Sequence, residues 1–151
     1  MRRSDRRIAE AEAWRVLEEG GHGVLSTVSR EHAPYGVPVS YCVLDRAVYV
    51  HCARVGRKLE HLAHDPRVSF CVVGRVEVLP DAFSTLYESC VMEGVAAEVF
   101  GAQKQAALEG LVAKYSPGFE EEALRYIEAL SEEARVFRID VASLSGKARR
   151  R

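Results

Sequence analysis

The stretch from Tyr35 to Ala53 constrains the fold more than any other part of the chain. Tyr35 to Leu44 alternates, with Val37, Val39, Tyr41 and Val43 on one side and Pro38, Ser40 and Cys42 on the other. Asp45-Arg46 follows, and Ala47 to Ala53 is again strand-like. Two such runs around a two-residue turn predict a tight antiparallel hairpin. Upstream, Gly23 to Val28 is short and β-branched, and Arg30 to Ala33 is a polar turn. These three strands predict an antiparallel meander.

The rest of the chain surrounds this unit with helices and more strands. Ser4 or Asp5 is the expected cap of a first helix carrying Ala9, Ala13, Val16 and Leu17 on one face, stopped by Gly20-Gly21. Gly56 opens a short helix, Arg57 to Ala63, which closes near Asp65-Pro66. Val68 to Val73 is a continuous apolar run, the pattern of a strand covered on both faces. Glu77 to Leu86, with Pro80, reads as irregular. Tyr87 to Phe100 reads as a long strand with a bulge at Gly94. Leu108, Leu111, Val112 and Tyr115 form a helical stripe that Ser116-Pro117-Gly118 ends. Glu120, Glu121 and Glu122 suit the first turn of another helix, bearing Ala123, Ile127 and Leu130. Val136 to Val141 is the last strand. About six strands with helices at the ends predict an α+β fold built on a small antiparallel barrel.

At 151 residues and 48% apolar, the chain is one globular domain with a real core. We place that domain at residues 1–146 and a basic tail at 147–151. The net charge of −1 is unevenly spread: residues 1–7 carry +3, the tail +4 and the body between them −8. An acidic body disfavours nucleic-acid binding and makes the basic ends solvated tails. No apolar run approaches the roughly 18 residues of a membrane span. Glu10 and Glu12 stand where a signal peptide would be apolar. Cys42, Cys52, Cys71 and Cys90 show no C-x-x-C spacing and sit in apolar runs, as buried free thiols do. Together these features predict a cytoplasmic protein.

The segment His51-Cys52-Ala53-Arg54-Val55-Gly56-Arg57-Lys58 holds the most chemistry. A strand ends, a glycine lets backbone come close, and a helix begins with two cations. Such a start is an anion site suited to phosphate, or else a plain turn with solvated cations. It lacks P-loop spacing. His51 lies beside it, either as a packed strand histidine or as a site group. Cys52 points to the opposite strand face, so the two form no dyad. His61 and His64 stand at i, i+3 without a third ligand, which predicts a solvated helix face and no metal site. Tyr87-Glu88-Ser89 adds polar groups at the start of the long strand.

Seven pieces in order carry a resemblance: Gly-Val-Leu-Ser-Thr-Val at 23–28, Pro-Tyr-Gly-Val-Pro-Val-Ser-Tyr at 34–41, Tyr-Val-His-Cys-Ala at 49–53, Gly-Arg-Lys-Leu at 56–59, Asp-Pro-Arg-Val-Ser-Phe at 65–70, Thr-Leu-Tyr-Glu-Ser at 85–89 and Gly-Val-Ala at 94–96. Over residues 1–115 the chain resembles the pyridoxamine 5′-phosphate oxidase-related flavoproteins, and among them the branch similar to nitroimidazole resistance proteins. The resemblance implies a split β-barrel, FMN as cofactor and a homodimer with flavin at the interface. It implies that Val37, Pro38, Val39, Ser40 and Tyr41 run beside the flavin ring, with His51, Cys52 and Ala53 on the neighbouring strand. It places Arg57 and Lys58 on the phosphate, and Tyr87, Glu88 and Ser89 against the ring from the partner subunit. His51 and Tyr87 are the candidate catalytic groups. The implied activity is FMN-dependent electron transfer from a reduced nicotinamide or other donor to a small oxidised acceptor, a nitro-aromatic compound among them. The alternatives are a non-catalytic flavin carrier or sensor, and a haem- or deazaflavin-binding relative. The C-terminus, Ser145 to Arg151, lacks the segment with which the true oxidases bind their vitamin substrate.

Overall fold

The computed structural model describes residues 3–130 and 133–151, apart from the Leu130 side chain. Met1 and Arg2 of the basic N-terminus, and the place of Leu130 on its helical stripe, lie outside the described residues. The chain runs β1 (Arg7–Ile8), α1 (Glu10–Glu19), β2 (Gly23–Val28), β3 (Pro34–Val39), β4 (Tyr41–Leu44), β5 (Ala47–Ala53), α2 (Arg57–His64), β6 (Arg67–Leu79), β7 (Ser84–Val99), α3 (Gly101–Tyr115), α4 (Glu120–Leu130) and β8 (Ala134–Arg149).

All strand pairs are antiparallel, in the order β3-β2-β6-β7-β8-β5-β4, with β1 added to β8. The predicted strand Tyr35 to Leu44 is therefore two strands. Its first half pairs with β2 and its second with β5, at opposite ends of that order. The chain crosses at Ser40, and this crossing closes the sheet into a split barrel. Tyr115 Oη pins it, accepting the Tyr41 N–H at 3.0 Å and donating to Gly21 O at 2.8 Å. The side-chain alternation survives the break, because Val37, Val39, Tyr41 and Val43 all pack on the barrel core.

That core holds Leu25, Tyr41, Val48, Val50, Phe70, Val72, Met92 and Ile139, closed by Ala13, Trp14, Val16 and Leu17 of α1. A second cluster lies outside the barrel, where Leu108 and Leu111 of α3 and Ile127 of α4 cover Ala47, Tyr49 and Val136. The strand covered on both faces is thus β5. In β6, Val68, Phe70 and Val72 are buried while Val73 is 58% exposed. The apolar run there mixes one core face with one open face.

The Asp45-Arg46 hairpin forms as expected, with both residues at positive φ (47° and 59°) and Leu44 opposite Ala47. The bulge at Gly94 is present, the extra residue being Ala142 of β8. A Cβ at Gly94 would stand 2.3 Å from Asp140 O, so only glycine fits this close approach.

Other expectations change. Ser4 and Asp5 lie in a 3-10 turn, and α1 starts after Ala9, whose N–H is accepted by Glu12 at 3.3 Å. Glu77 to Leu86 is no irregular loop: β6 runs on to Leu79, turns at residues 80–83 and returns as β7. Among the described residues there are eight strands rather than about six. The last strand reaches Arg149, so Lys147 to Arg149 of the expected tail pair with Ser89 to Tyr87. Arg150 and Arg151 are tied to Glu12 (2.7 Å) and Glu77 (2.6 Å). The C-terminal basic end is thus tied to the acidic body by backbone pairing and ion pairs, with its arginine side chains still exposed.

Candidate functional site

β5 delivers the site. Its alternation sends Val48, Val50 and Cys52 into the barrel and turns His51 and Ala53 outward. After Ala53 the chain turns through Gly56, whose φ of +143° suits glycine alone, and α2 begins at Arg57. No side chain caps this helix. Leu59 and Glu60 N–H groups bond Gly56 O at 2.9 and 3.3 Å. Those of Arg57 and Lys58 have no helical acceptor and point out of the first turn.

Arg57 is braced. Its guanidinium lies 5.1 Å over the Tyr35 ring. Tyr35 meets the His61 ring edge-on at 5.6 Å, and His61 Nδ1 shares a 2.9 Å hydrogen bond with Thr27 Oγ1. His61 is only 8% exposed. This corrects the expected solvated face: His61 is a buried strut between α2, β2 and β3. Among the described residues no cluster of three or more His, Cys, Asp or Glu could hold a metal. Lys58 is half-buried and has no ion pair among the described residues.

His51 reaches a small apolar cleft of about 250 Å3 with Ser40, Leu111, Tyr115 and Ile127. Burial of the ring, and then the nearby Lys58 charge, hold its pKa below the ordinary histidine value. The imidazole is therefore neutral at pH 7. Cys52 lies inside the barrel, where burial raises its thiol pKa, so the absence of a dyad with His51 holds. Pro38 is exposed, Val37 and Val39 lean into the barrel, and Ser40 sits at the crossing. The Tyr41 side chain is a core group: its Oη donates to Leu17 O at 2.5 Å, and its N–H is already taken by Tyr115.

Tyr87, Glu88 and Ser89 are not brought to this place. His51 faces Val136, Val136 faces Val99, and Val99 is twelve residues from Tyr87 along β7. At ~3.3 Å per residue that is up to about 40 Å. Tyr87 Oη accepts from Arg6 at 3.5 Å, and Glu88 pairs with Arg15 at 2.7 Å. The Arg15 guanidinium pulls the Glu88 carboxyl below its ordinary pKa. One chain thus carries the two halves of the expected site at opposite ends of its sheet.

Between the halves lies an open face. Antiparallel register aligns Pro38, Val24, Cys71, Val91 and Ser145 in one row across five strands. Val24 is 40% and Val91 42% exposed. Sequence reasoning missed Tyr35, Thr27 and Arg15, which bear on the site through partners distant in the chain. Tyr115 was visible, but only as part of a helical stripe.

Among the described residues no helix is long and apolar enough to cross a membrane. No curated protein matches the chain significantly. Solved structures do. A candidate 5-nitroimidazole antibiotic resistance protein from Bacteroides thetaiotaomicron superposes with TM-score 0.75 at 18% identity, over 94% of this chain and 86% of that one. A FAD-binding protein from Mesorhizobium loti gives 0.71 at 25% identity, over 96% and 98%. A FAD- and haem-binding protein from Mycobacterium smegmatis gives 0.75 at 18%, over 93% and 71%. The family model for pyridoxamine 5′-phosphate oxidase matches residues 9–148. With the split barrel and this match over nearly its whole length, the chain belongs to the pyridoxamine 5′-phosphate oxidase family.

Proposed function

We propose that the protein is an FMN-dependent oxidoreductase working as a homodimer in the cytoplasm. The observation that carries this reading is the uncapped start of α2. Two free amides, the helix dipole, Arg57 and Lys58 converge there; Glu60 is the acidic residue of that first turn, and neither cation forms an ion pair among the described residues. That donor set has the chemistry of a phosphate dianion site. FMN, when bound, would supply two-electron redox chemistry between a reduced nicotinamide or other donor and a small acceptor such as a nitro-aromatic compound. The protein supplies position and water exclusion. Lys58 and Arg57 hold phosphate, each charge-assisted bond contributing about 1.5–3 kcal/mol. The backbone of Val37 to Ser40 lines the ring. Neutral His51 offers one hydrogen-bond donor and one acceptor to a bound acceptor molecule.

Distance supports the homodimer. Residues up to about 40 Å apart on one sheet meet only if a second copy brings Tyr87 to Ser89 to the partner's phosphate turn. The apolar row through Val24, Cys71 and Val91 is the surface on which that copy would rest. Tyr87 would then touch the ring, with Glu88 and Ser89 beside it. Haem binding is the second reading, because His51 is a neutral imidazole in an apolar cleft. The cleft's volume of about 250 Å3 falls below the roughly 300–1,000 Å3 usual for ligand sites, so one chain alone does not enclose a haem there.

Titration with FMN and with riboflavin tests the proposal. FMN should lose fluorescence on binding and, at ~100 times its Kd, stabilise the fold by about 2.7 kcal/mol. Steady oxidation of a reduced nicotinamide by the loaded protein separates an enzyme from a flavin carrier. A Soret band in place of a flavin spectrum, or no response to FMN, overturns the reading.

A further inference from the structure

Tyr35 stands on β3 just before the stretch proposed to line the flavin ring, directly opposite Thr27 in the β2–β3 register. Thr27 Oγ1 and His61 Nδ1 share a 2.9 Å hydrogen bond, and both residues are buried. The His61 ring in turn meets Tyr35 at 85°. Thr27, His61 and Tyr35 thus close a loop through backbone pairing, a hydrogen bond and a ring contact, which fixes the Tyr35 ring. Arg57 lies one helical turn before His61, so both side chains reach Tyr35 from one face of α2. Among the described residues the Tyr35 hydroxyl has no hydrogen bond and Arg57 has no ion pair. What joins them is the ring face and the guanidinium, 5.1 Å apart.

The kind of brace has a chemical consequence. A carboxylate would also hold Arg57, but it would neutralise the charge and occupy N–H donors. A ring face attracts the cation through its quadrupole and leaves all five N–H groups free for an anion. We propose that Tyr35 is a positioning residue: it holds Arg57 beside the first turn of α2 without spending the guanidinium, and so sets the preference of the site for a ligand that carries phosphate. Thr27 and His61 act through Tyr35, by fixing its ring. The role rests on the reading of the α2 start as a phosphate site, but not on the phosphate belonging to a flavin.

The test titrates the full chain with FMN, riboflavin and inorganic phosphate. Position 35 is varied as Tyr35→Phe, as phenylalanine with increasing ring fluorination, and as Tyr35→Leu, each with Arg57 intact and with Arg57→Met, after thermal melting confirms folding. Tyr35→Phe should bind FMN as wild type does, since the hydroxyl has no partner. Fluorination drains the ring face and nearly keeps its shape, so FMN affinity should fall stepwise to about two- to fivefold below wild type, the level of Tyr35→Leu. Riboflavin affinity should not move, and with Arg57→Met no change at position 35 should alter FMN binding. A flat response across the fluorinated series, equal losses for FMN and riboflavin, or losses that persist without Arg57 overturn the proposal, because each is what mere packing by Tyr35 produces. Should wild type not bind FMN, the flavin reading falls and inorganic phosphate decides alone: its stabilisation of the fold against heat should shrink with fluorination, and phosphate that stabilises no variant, or all of them alike, overturns the positioning role as well.

Discussion

Gly56→Ala isolates backbone conformation from packing at the phosphate turn. Gly56 has φ +143° and ψ 163°, a region that residues with a Cβ avoid. An added Cβ meets nothing within 4 Å, so no clash contributes. Only strain remains, about 1–3 kcal/mol for a residue held in such a region. In a domain of this size that corresponds to a fall in Tm of roughly 2–12 °C if the turn keeps its shape. If the turn relaxes instead, stability recovers, but the free amides of Arg57 and Lys58 change direction. Either outcome costs something measurable. Thermal melting and FMN titration on the same sample read the two together, with riboflavin as the ligand that lacks phosphate. An alanine variant with wild-type melting and wild-type FMN affinity would refute the reasoning, because neither strain nor altered amide geometry would then be present.

Lys58→Glu should weaken FMN by about tenfold or more while leaving riboflavin nearly unchanged; equal losses would mean that Lys58 acts through the fold. His51→Ala should slow steady-state turnover more than it weakens FMN binding, and unchanged turnover with intact flavin removes its catalytic role. The His51 pKa is lowered in the folded state, so below the unfolded value near 6.5 the unfolded chain binds more protons. Stability should fall as the pH drops from about 6.5 toward the folded pKa, and urea titrations of His51→Gln should show a flatter profile there. Light scattering should give about twice the 16.8 kDa chain mass, and Val91→Arg on the open face should give monomers with weakened FMN binding; a monomeric wild type that holds FMN tightly removes the shared site.

Local chemistry in the chain was enough to find the turns. Asp45-Arg46, Gly56, Gly94 and Ser116-Pro117-Gly118 each act through their own backbone, so their neighbours reveal them. What stayed hidden depends on distant partners. Nothing near Ser40 announces that the two halves of one alternating strand pair with β2 and β5. His61 looks like a polar helix residue until Thr27 and Tyr35 meet it. Arg75, Glu77, Lys147 and Arg149 disguise the outer reaches of β6 and β8 as loop and tail, because a strand end needs no apolar side chains when its backbone is paired. For the proposed site, the strand-to-helix turn at Gly56 was readable as a motif. The separation of Tyr87 from His51 is a property of sheet register, which no single stretch of sequence contains.

The central position of β8 bears on how the chain comes to be folded at all. β8 follows all its partners in sequence, yet it lies between β5 and β7 and also carries β1. During synthesis, β5 and β7 must wait with unpaired edges until the last strand emerges. Pairings of such long sequence separation are slow, on the order of milliseconds to seconds in β-rich domains. Open strand edges are meanwhile exposed to other chains. A nascent chain arrested before Ala134 should stay protease-sensitive and prone to associate, and release of the remaining residues should drive closure in one cooperative step, readable by pulse proteolysis on stalled ribosomes.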